Sequence, residues 1–300
     1  MYVVTGATGN TGSVVAKQLL AQGQKVRVIG RSADRLQPLV KTGAEPFVAD
    51  ITDAAALTKA FTGAQAVYVM IPPDMANPDF HSYQDHVTNA FAQALEKTGV
   101  KHAVVLSSIG ADKAEKTGPV LGLHNLEQKL NQIAGLNVLH LRAGYFMENT
   151  LVQVGTVHAM GKAAGPVRPD LKLPMIAAQD IGAYAADALL KLDFSGKQTR
   201  ELLGQRDLDY NEVTAIIGKA IHKPDLQYIQ LPDEQIRPVL LQLGMSGNIA
   251  DLLLEMSASL NSGYMKALEK RSPQNTTPTK YETFVTEEFV PLYQAKSKAA

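Results

Sequence analysis

Apolar residues in the first half of the chain fall into short runs, separated by stretches with a helical repeat. Tyr2 to Val4, Lys25 to Ile29, Glu45 to Ala49, Ala66 to Ile71, Ala103 to Leu106 and Val138 to Leu141 are predicted strands. Between them, Val14, Val15, Leu19 and Leu20 share one face of a helix over residues 13–22. Leu36 to Thr42 reads as a short helix, and Ala54 to Phe61 as a helix capped by Asp53. A longer helix carries Val87, Ala90, Phe91, Ala94 and Leu95 and ends at Gly99. Leu121 to Ile133 reads as another. Strands that alternate with helices require crossovers and so a parallel sheet, and unbroken apolar runs such as Val104-Val105-Leu106 suit strands covered on both faces.

After residue 150 the rhythm changes. Gly-Pro and Pro-Asp pairs between 165 and 174 mark loops, and Asp180 is predicted to cap a helix with Ile181, Tyr184, Ala185, Ala188 and Leu189. Residues 211–222 and 232–262 read mainly as helices around one strand, Leu226 to Gln230, followed by a polar linker from Arg271 to Lys280 and a last helix to about Tyr293. The expected fold is α/β: a Rossmann-type doubly wound parallel sheet with a smaller, mostly helical C-terminal lobe. Residues 1–150 form the sheet domain in this reading, with the helix over 180–192 packing back on it. Residues 151–300 form the smaller substrate domain.

Composition narrows the function classes. Twenty-nine basic residues balance twenty-nine acidic ones, which argues against a nucleic-acid binder or a polybasic membrane anchor. The absence of cysteine removes disulfides, thiolate metal sites and a cysteine nucleophile. His81 and His86 lie on different helix faces and no H-x-x-x-H occurs, so no metal site is expected. Met1-Tyr2-Val3-Val4-Thr5 runs straight into glycines without an export signal, and no apolar run is long enough to span a bilayer, so a cytoplasmic location is expected.

The chemistry begins in Thr5-Gly6-Ala7-Thr8-Gly9-Asn10-Thr11-Gly12, between the first strand and the first helix. Gly6 allows the tight turn, Gly9 admits backbone close to a pyrophosphate, and Gly12 lets helix pack on strand; Thr8, Asn10 and Thr11 complete the loop. A dinucleotide with its phosphates at the helix N-terminus fits this arrangement. The second strand ends in Ile29-Gly30-Arg31-Ser32, where an NAD site usually places a carboxylate. Arg31 can pair with a 2′-phosphate and stack on adenine, Ser32 can donate to the same group, and Arg35 follows one turn later. Opposite charges about 4 Å apart are worth a few kcal/mol at an effective dielectric of about 20, so NADP(H) is expected, with NAD(H) as the other possibility. Asp50-Ile51 would bracket the adenine, Met70-Ile71-Pro72 the ribose, and Ser107-Ser108 the nicotinamide, all at carboxyl ends of strands.

With these residues in place, the chain resembles the NmrA-like branch of the atypical short-chain dehydrogenases/reductases. The likeness rests on the glycine loop, Asp50, Ser107-Ser108-Ile109-Gly110, His124 with Glu127, Arg142 through Asn149, Asp180-Ile181-Gly182 and Thr277-Pro278-Thr279. It implies a dinucleotide domain plus a smaller substrate domain with a cleft between them. Members divide into NADPH-dependent reductases of quinones, dyes or aromatic ethers, and dinucleotide-binding redox sensors that act through protein contacts.

Typical members of the broader superfamily use Tyr-x-x-x-Lys as proton donor, and here no Tyr is followed by Lys four residues on. Losing a positioned acid costs about 10²–10⁴ in rate. That loss weighs on an alcohol/ketone couple more than on a conjugated acceptor, which spreads the charge left by hydride. The expected function is therefore hydride delivery from NADPH to a quinone-like acceptor, with a non-catalytic sensor and its protein partner as the alternative. His124, Tyr145, Phe146 and Asn149 are the candidate substrate-side residues, and His124 and Tyr145 the candidate proton donors. His124 also reads as a loop-capping histidine, and Tyr145-Phe146 as ordinary core. A monomer or a homodimer fits equally.

Overall fold

The computed structural model describes residues 1–299. Its first half runs β1 (Tyr2–Val4), α1 (Gly12–Ala21), β2 (Val26–Gly30), α2 (Ala33–Val40), β3 (Glu45–Val48) and α3 (Ala54–Phe61). It continues with β4 (Ala66–Val69), α4 (Phe80–Thr98), β5 (His102–Ser108), α5 (Leu121–Asn131) and β6 (Asn137–Ala143). The second half comprises β7 (Tyr145–Phe146), α6 (Gln153–Met160), β8 (Ala163–Gly165), β9 (Leu173–Ile176), α7 (Ala178–Lys191), β10 (Lys197–Leu202) and β11 (Arg206–Leu208). Last come α8 (Tyr210–Ala220), β12 (Tyr228–Gln230), α9 (Asp233–Gln242), α10 (Gly247–Asn261), α11 (Tyr281–Phe284) and α12 (Val290–Ala299).

Seven strands form one sheet in the order β10-β6-β5-β4-β1-β2-β3, with every neighbouring pair parallel. This is the doubly wound Rossmann arrangement. The strand order reverses between β1 and β4, so the connections after these two strands leave to opposite faces and open a crevice at their carboxyl ends. On one face, Val4, Val28 and Tyr68 pack against Val15 and Leu19 of α1 and Ile181 and Leu189 of α7. On the other, Val3, Val67 and Val105 pack against Leu57, Phe91, Leu95 and Leu126 from α3, α4 and α5. Each of these fully buried side chains contributes about 1.5–3 kcal/mol. Helix ends follow the expected chemistry: Asp53 accepts from Ala55 N and Ala56 N at the start of α3, and Gly99 closes α4 in the left-handed region at φ +64°.

Two local features differ from the sequence expectation. The seventh strand, β10, escapes the hydrophobic pattern because Lys197-Gln198-Thr199 are exposed at the sheet edge and only Glu201 and Leu202 turn inward. Asp180 does not cap its helix. α7 begins two residues earlier, Glu148 Oε1 accepts from Ala178 N (2.9 Å), and the Asp180 carboxylate binds Thr279 through its amide (3.0 Å) and hydroxyl (2.6 Å). The segment over 271–280 is thereby strapped to α7. That helix lies so close to α1 that a Cβ on Gly182 would sit 2.7 Å from the Thr11 carbonyl.

Helices α8 to α12 dominate the remaining lobe, and two small sheets, β11-β9-β7 and β12-β8, accompany them. Val213, Ile217, Tyr281, Phe284 and Phe289 form its core. α10 is pinned at its start to the connection after β4: Ser246 N donates to Met75 O (2.9 Å), and Phe80 N to Asn248 Oδ1 (2.9 Å). Among the described residues no helix is long and apolar enough to cross a membrane.

Candidate active site

The glycine loop is held in shape by its own backbone. Gly6 adopts φ +59°, and Gly9 N donates back to Gly6 O (2.9 Å). Ser13 N and Val15 N close the first helical turn on Gly9 O and Thr11 O. A Cβ on Gly12 would lie 2.4 Å from the Gly6 carbonyl oxygen, so only glycine lets the turn and helix approach this closely. The Thr11 side chain does not cap α1; the amides of Ser13, Val14 and Val15 are taken up by the Gly9 and Thr11 carbonyls, and the Gly12 amide at the head of the helix has no backbone acceptor of this kind among the described residues. Instead Thr11 Oγ1 accepts from the buried Tyr68 hydroxyl (2.9 Å), while Thr5 Oγ1 accepts from Met70 N (3.0 Å). Both contacts bolt the loop to β4.

Beside this loop lies a cavity of about 450 Å³. Gly6, Thr8, Gly9, Arg31, Ser32, Arg35, Asp50, Ile51, Met70 and Pro72 line it, all of them named from the sequence. Arg31 and Arg35 are exposed and have no carboxylate within ion-pair distance among the described residues. Ser32 caps α2 by accepting from Arg35 N (3.4 Å) and keeps its own proton to donate. Asp50 accepts from Thr52 N (2.8 Å) and Thr52 Oγ1 (2.7 Å). These bonds, with a smaller contribution from Arg31, hold the carboxyl below its usual range.

Tyr83 also lines this cavity and was missed from the sequence. It sits in the first turn of α4, a helix whose legible stripe starts only at Val87. Its hydroxyl donates to Pro72 O (3.1 Å), and burial pushes the phenol up to about 12. The residual sequence candidates lie elsewhere. Asn10 is exposed on the loop, Gly12 and Thr11 support it from behind, and Ile71 is buried off the cavity. Ser107 is buried and donates to Glu127 Oε1 (2.6 Å). The same Glu127 carboxylate takes a two-pronged contact from Arg142 (3.0 and 2.6 Å). Ser107 is thus committed to a buried network under the strand ends.

A second cavity, about 330 Å³, opens at the carboxyl ends of β5 and β6. Tyr145, Phe146 and Asn149, three of the expected substrate-side residues, line it together with Ser108, which was expected beside the nicotinamide. Leu173 and Pro174 of β9, Met256 and Leu260 of α10, and Met265 beyond it complete an apolar slot. No sequence motif announces those residues, because α10 reaches the site only through the fold. The Tyr145 hydroxyl lies 2.9 Å from that of Tyr210, and Tyr210 stacks on Tyr228 at 4.4 Å. Burial raises the Tyr145 and Tyr210 phenols, which keeps both protonated near neutrality. His124 does not line the slot; its Nδ1 is 2.8 Å from the Ala111 carbonyl, where only a protonated nitrogen fits.

Residues 2–290 match the profile of the NmrA-like family. The chain belongs to that family. A similar protein is the NAD(P)H azoreductase of Xenophilus azovorans, 28% identical over 278 residues, which cover 92% of this chain and 93% of the relative. Quinone oxidoreductase 2 of Escherichia coli is 26% identical over 88% of this chain and 89% of its own length. Among solved structures, an NADPH-dependent quinone oxidoreductase from E. coli in complex with NADPH superposes with a TM-score of 0.78 at 23% identity, covering 98% of this chain and all of that one. Citrobacter triphenylmethane reductase with NADP(H) gives 0.77 at 18% identity, over 96% of this chain and 100% of its own. The two structures establish that the fold is shared.

Proposed function

We propose that this NmrA-like protein is an NADPH-dependent reductase of quinone-like and other conjugated acceptors. The observation that carries this reading is the pairing of two cavities on one sheet edge. One is walled by the glycine loop and two arginines without carboxylate partners. The other is a largely apolar slot in a chain without a Tyr-x-x-x-Lys pair. The curated relatives, an NAD(P)H azoreductase and a quinone oxidoreductase, point the same way.

The residues present fit NADP(H). The turn at Gly6 and the start of α1 suit the pyrophosphate. Arg31, Arg35 and Ser32 suit a 2′-phosphate, and Asp50, Tyr83 and Pro72 frame the adenosine end. Bound NADPH supplies hydride, so a quinone that also gains one proton leaves as hydroquinone and NADP+ remains. Phe146, Met256, Leu260 and Met265 exclude water from the slot and hold a flat ring at the ends of β5 and β6. Tyr145 keeps its proton and is oriented by Tyr210, so it offers a neutral hydrogen-bond donor to oxygen as charge builds on the acceptor. In this reading the lobe built from residues 151–300 supplies most of the slot's outer wall.

Steady-state oxidation of NADPH and NADH against a panel of quinones, azo dyes and triarylmethane dyes tests the proposal. Turnover with at least one acceptor, faster with NADPH than with NADH, is the expected result. Micromolar NADPH binding with no turnover of any acceptor would instead support the sensor alternative.

A further inference from the structure

The charges at the mouth of the apolar slot can be paired off one by one. Lys172 reaches Asp209 (3.1 Å) and Glu212, and those two carboxylates are themselves occupied in the capping box that starts α8. Asp207 is held by Arg271. Lys266 is the remaining charged side chain of the lining, and it has no carboxylate within ion-pair distance among the described residues. Its place is fixed by its neighbour. Met265 is buried against the backbone of Gly110, where a Cβ would meet Met265 Cε at 2.5 Å, and its amide donates to Ser259 O (3.1 Å). A cation without a partner is therefore held at the rim of a slot whose walls are apolar.

We infer that Lys266 is a specificity residue: it favours conjugated acceptors whose ring carries an anionic substituent, a carboxylate, sulfonate or phosphate. The ring enters between Phe146, Pro174 and Met256, while the anion stays at the mouth beside Lys266, still partly hydrated. Burying such an anion in the slot would strip its hydration with no partner to replace it, whereas leaving it at the rim costs little. An exposed pair of this kind is worth about a fivefold effect and weakens with salt. This inference rests on the reductase reading and adds the acceptor's charge to it.

The test compares 2-methyl-1,4-naphthoquinone with the same quinone bearing a sulfonate on its benzo ring. The readout is the ratio of their kcat/KM values, sulfonate over parent. Lys266→Gln should lower that ratio about fivefold, Lys266→Glu about tenfold or more, and Lys266→Arg should preserve it. Raising salt to about 0.5 M should lower the wild-type ratio in the same direction. A ratio that stays the same in Lys266→Glu overturns the inference. If neither quinone oxidises NADPH, the reductase reading itself has failed, and calorimetric titration of the two compounds into NADP+-loaded protein decides about Lys266. An affinity ratio that falls in Lys266→Glu supports the rim site, and an unchanged ratio rejects it.

Discussion

The Tyr68 hydroxyl donates to Thr11 Oγ1 at 2.9 Å, a buried bond that joins the middle of the sheet to the end of the phosphate loop. The Thr11 side chain makes no capping bond to α1, and this contact to the sheet is what fixes it. Tyr68→Phe leaves the Thr11 oxygen without its donor in a dry site, which should cost about 1 kcal/mol of stability. NADPH affinity should drop about threefold to tenfold as the loop loosens. Denaturant titration and fluorescence titration measure the two effects, and unchanged affinity would show that the loop is rigid without Tyr68.

Gly12→Ala puts a methyl group 2.4 Å from the Gly6 carbonyl oxygen, and backbone must move to relieve it. NADPH binding should weaken by about a hundredfold, in line with about 3 kcal/mol of loop distortion. Stability should fall as well, by about 1–3 kcal/mol, because the clash is present in the folded protein before any ligand binds. Isothermal titration at several cofactor concentrations, paired with thermal melts, separates the outcomes.

Arg31→Ala removes one of the two arginines beside the dinucleotide cavity. NADPH affinity should fall about tenfold or more, and NADH affinity by less than about threefold, because only the former carries the 2′-phosphate. Equal losses for both cofactors would remove the basis for NADP(H) preference.

Glu127 is buried and binds both Ser107 and Arg142. Truncating it to Ala strands Arg142 beneath the strand ends, and unfolding free energy should drop by about 3–5 kcal/mol. Glu127→Gln retains part of the network and should lose less. Urea denaturation of both variants would reveal a surface-like role if the Ala variant loses under 1 kcal/mol, about the worth of an exposed pair.

His140 is almost wholly buried, with Nε2 2.9 Å from Asn131 Oδ1, and burial lowers its pKa to about 4. Between about pH 6.5 and 4 the unfolded chain takes up a proton here that the folded chain refuses, so this residue makes stability fall as pH falls through that window. At pH 5 the loss should be about 2 kcal/mol relative to pH 7. His140→Gln, which does not titrate, should lose less stability between pH 7 and pH 5 than the parent. Matching slopes for the two proteins in denaturant unfolding would exclude the buried imidazole as the cause.

Much of this architecture can be read from the chain before any coordinates. Strands β1, β4 and β5 announce themselves because both faces are covered and their apolar runs are nearly unbroken, while β3, at the far edge and largely exposed, is legible only from its place between two helices. β10 does neither, since Lys197, Gln198 and Thr199 face solvent at a sheet edge. Arg31 and Asp50 were legible because a strand end fixes where the next residue goes. Tyr83 was not, because its role depends on how the first turn of α4 folds over Pro72. Ser107 looked like a ligand contact by position alone, but the inward alternation of β5 turns its hydroxyl to Glu127. The slot's outer wall stayed hidden for the same kind of reason: Met256, Leu260 and Met265 arrive through packing more than a hundred residues from the strand ends they cover.

α10 links these regions mechanically. Its 15 residues make a rod about 22 Å long. One end is fastened beside Met75 and Phe80, just past the prolines that rim the dinucleotide cavity, and the far half supplies Met256 and Leu260 to the slot. A continuous helix absorbs little compression or bending along its length. The Met75 contact and the Met256–Leu260 wall are thus carried on one stiff element, so the two ends of α10 are positioned together.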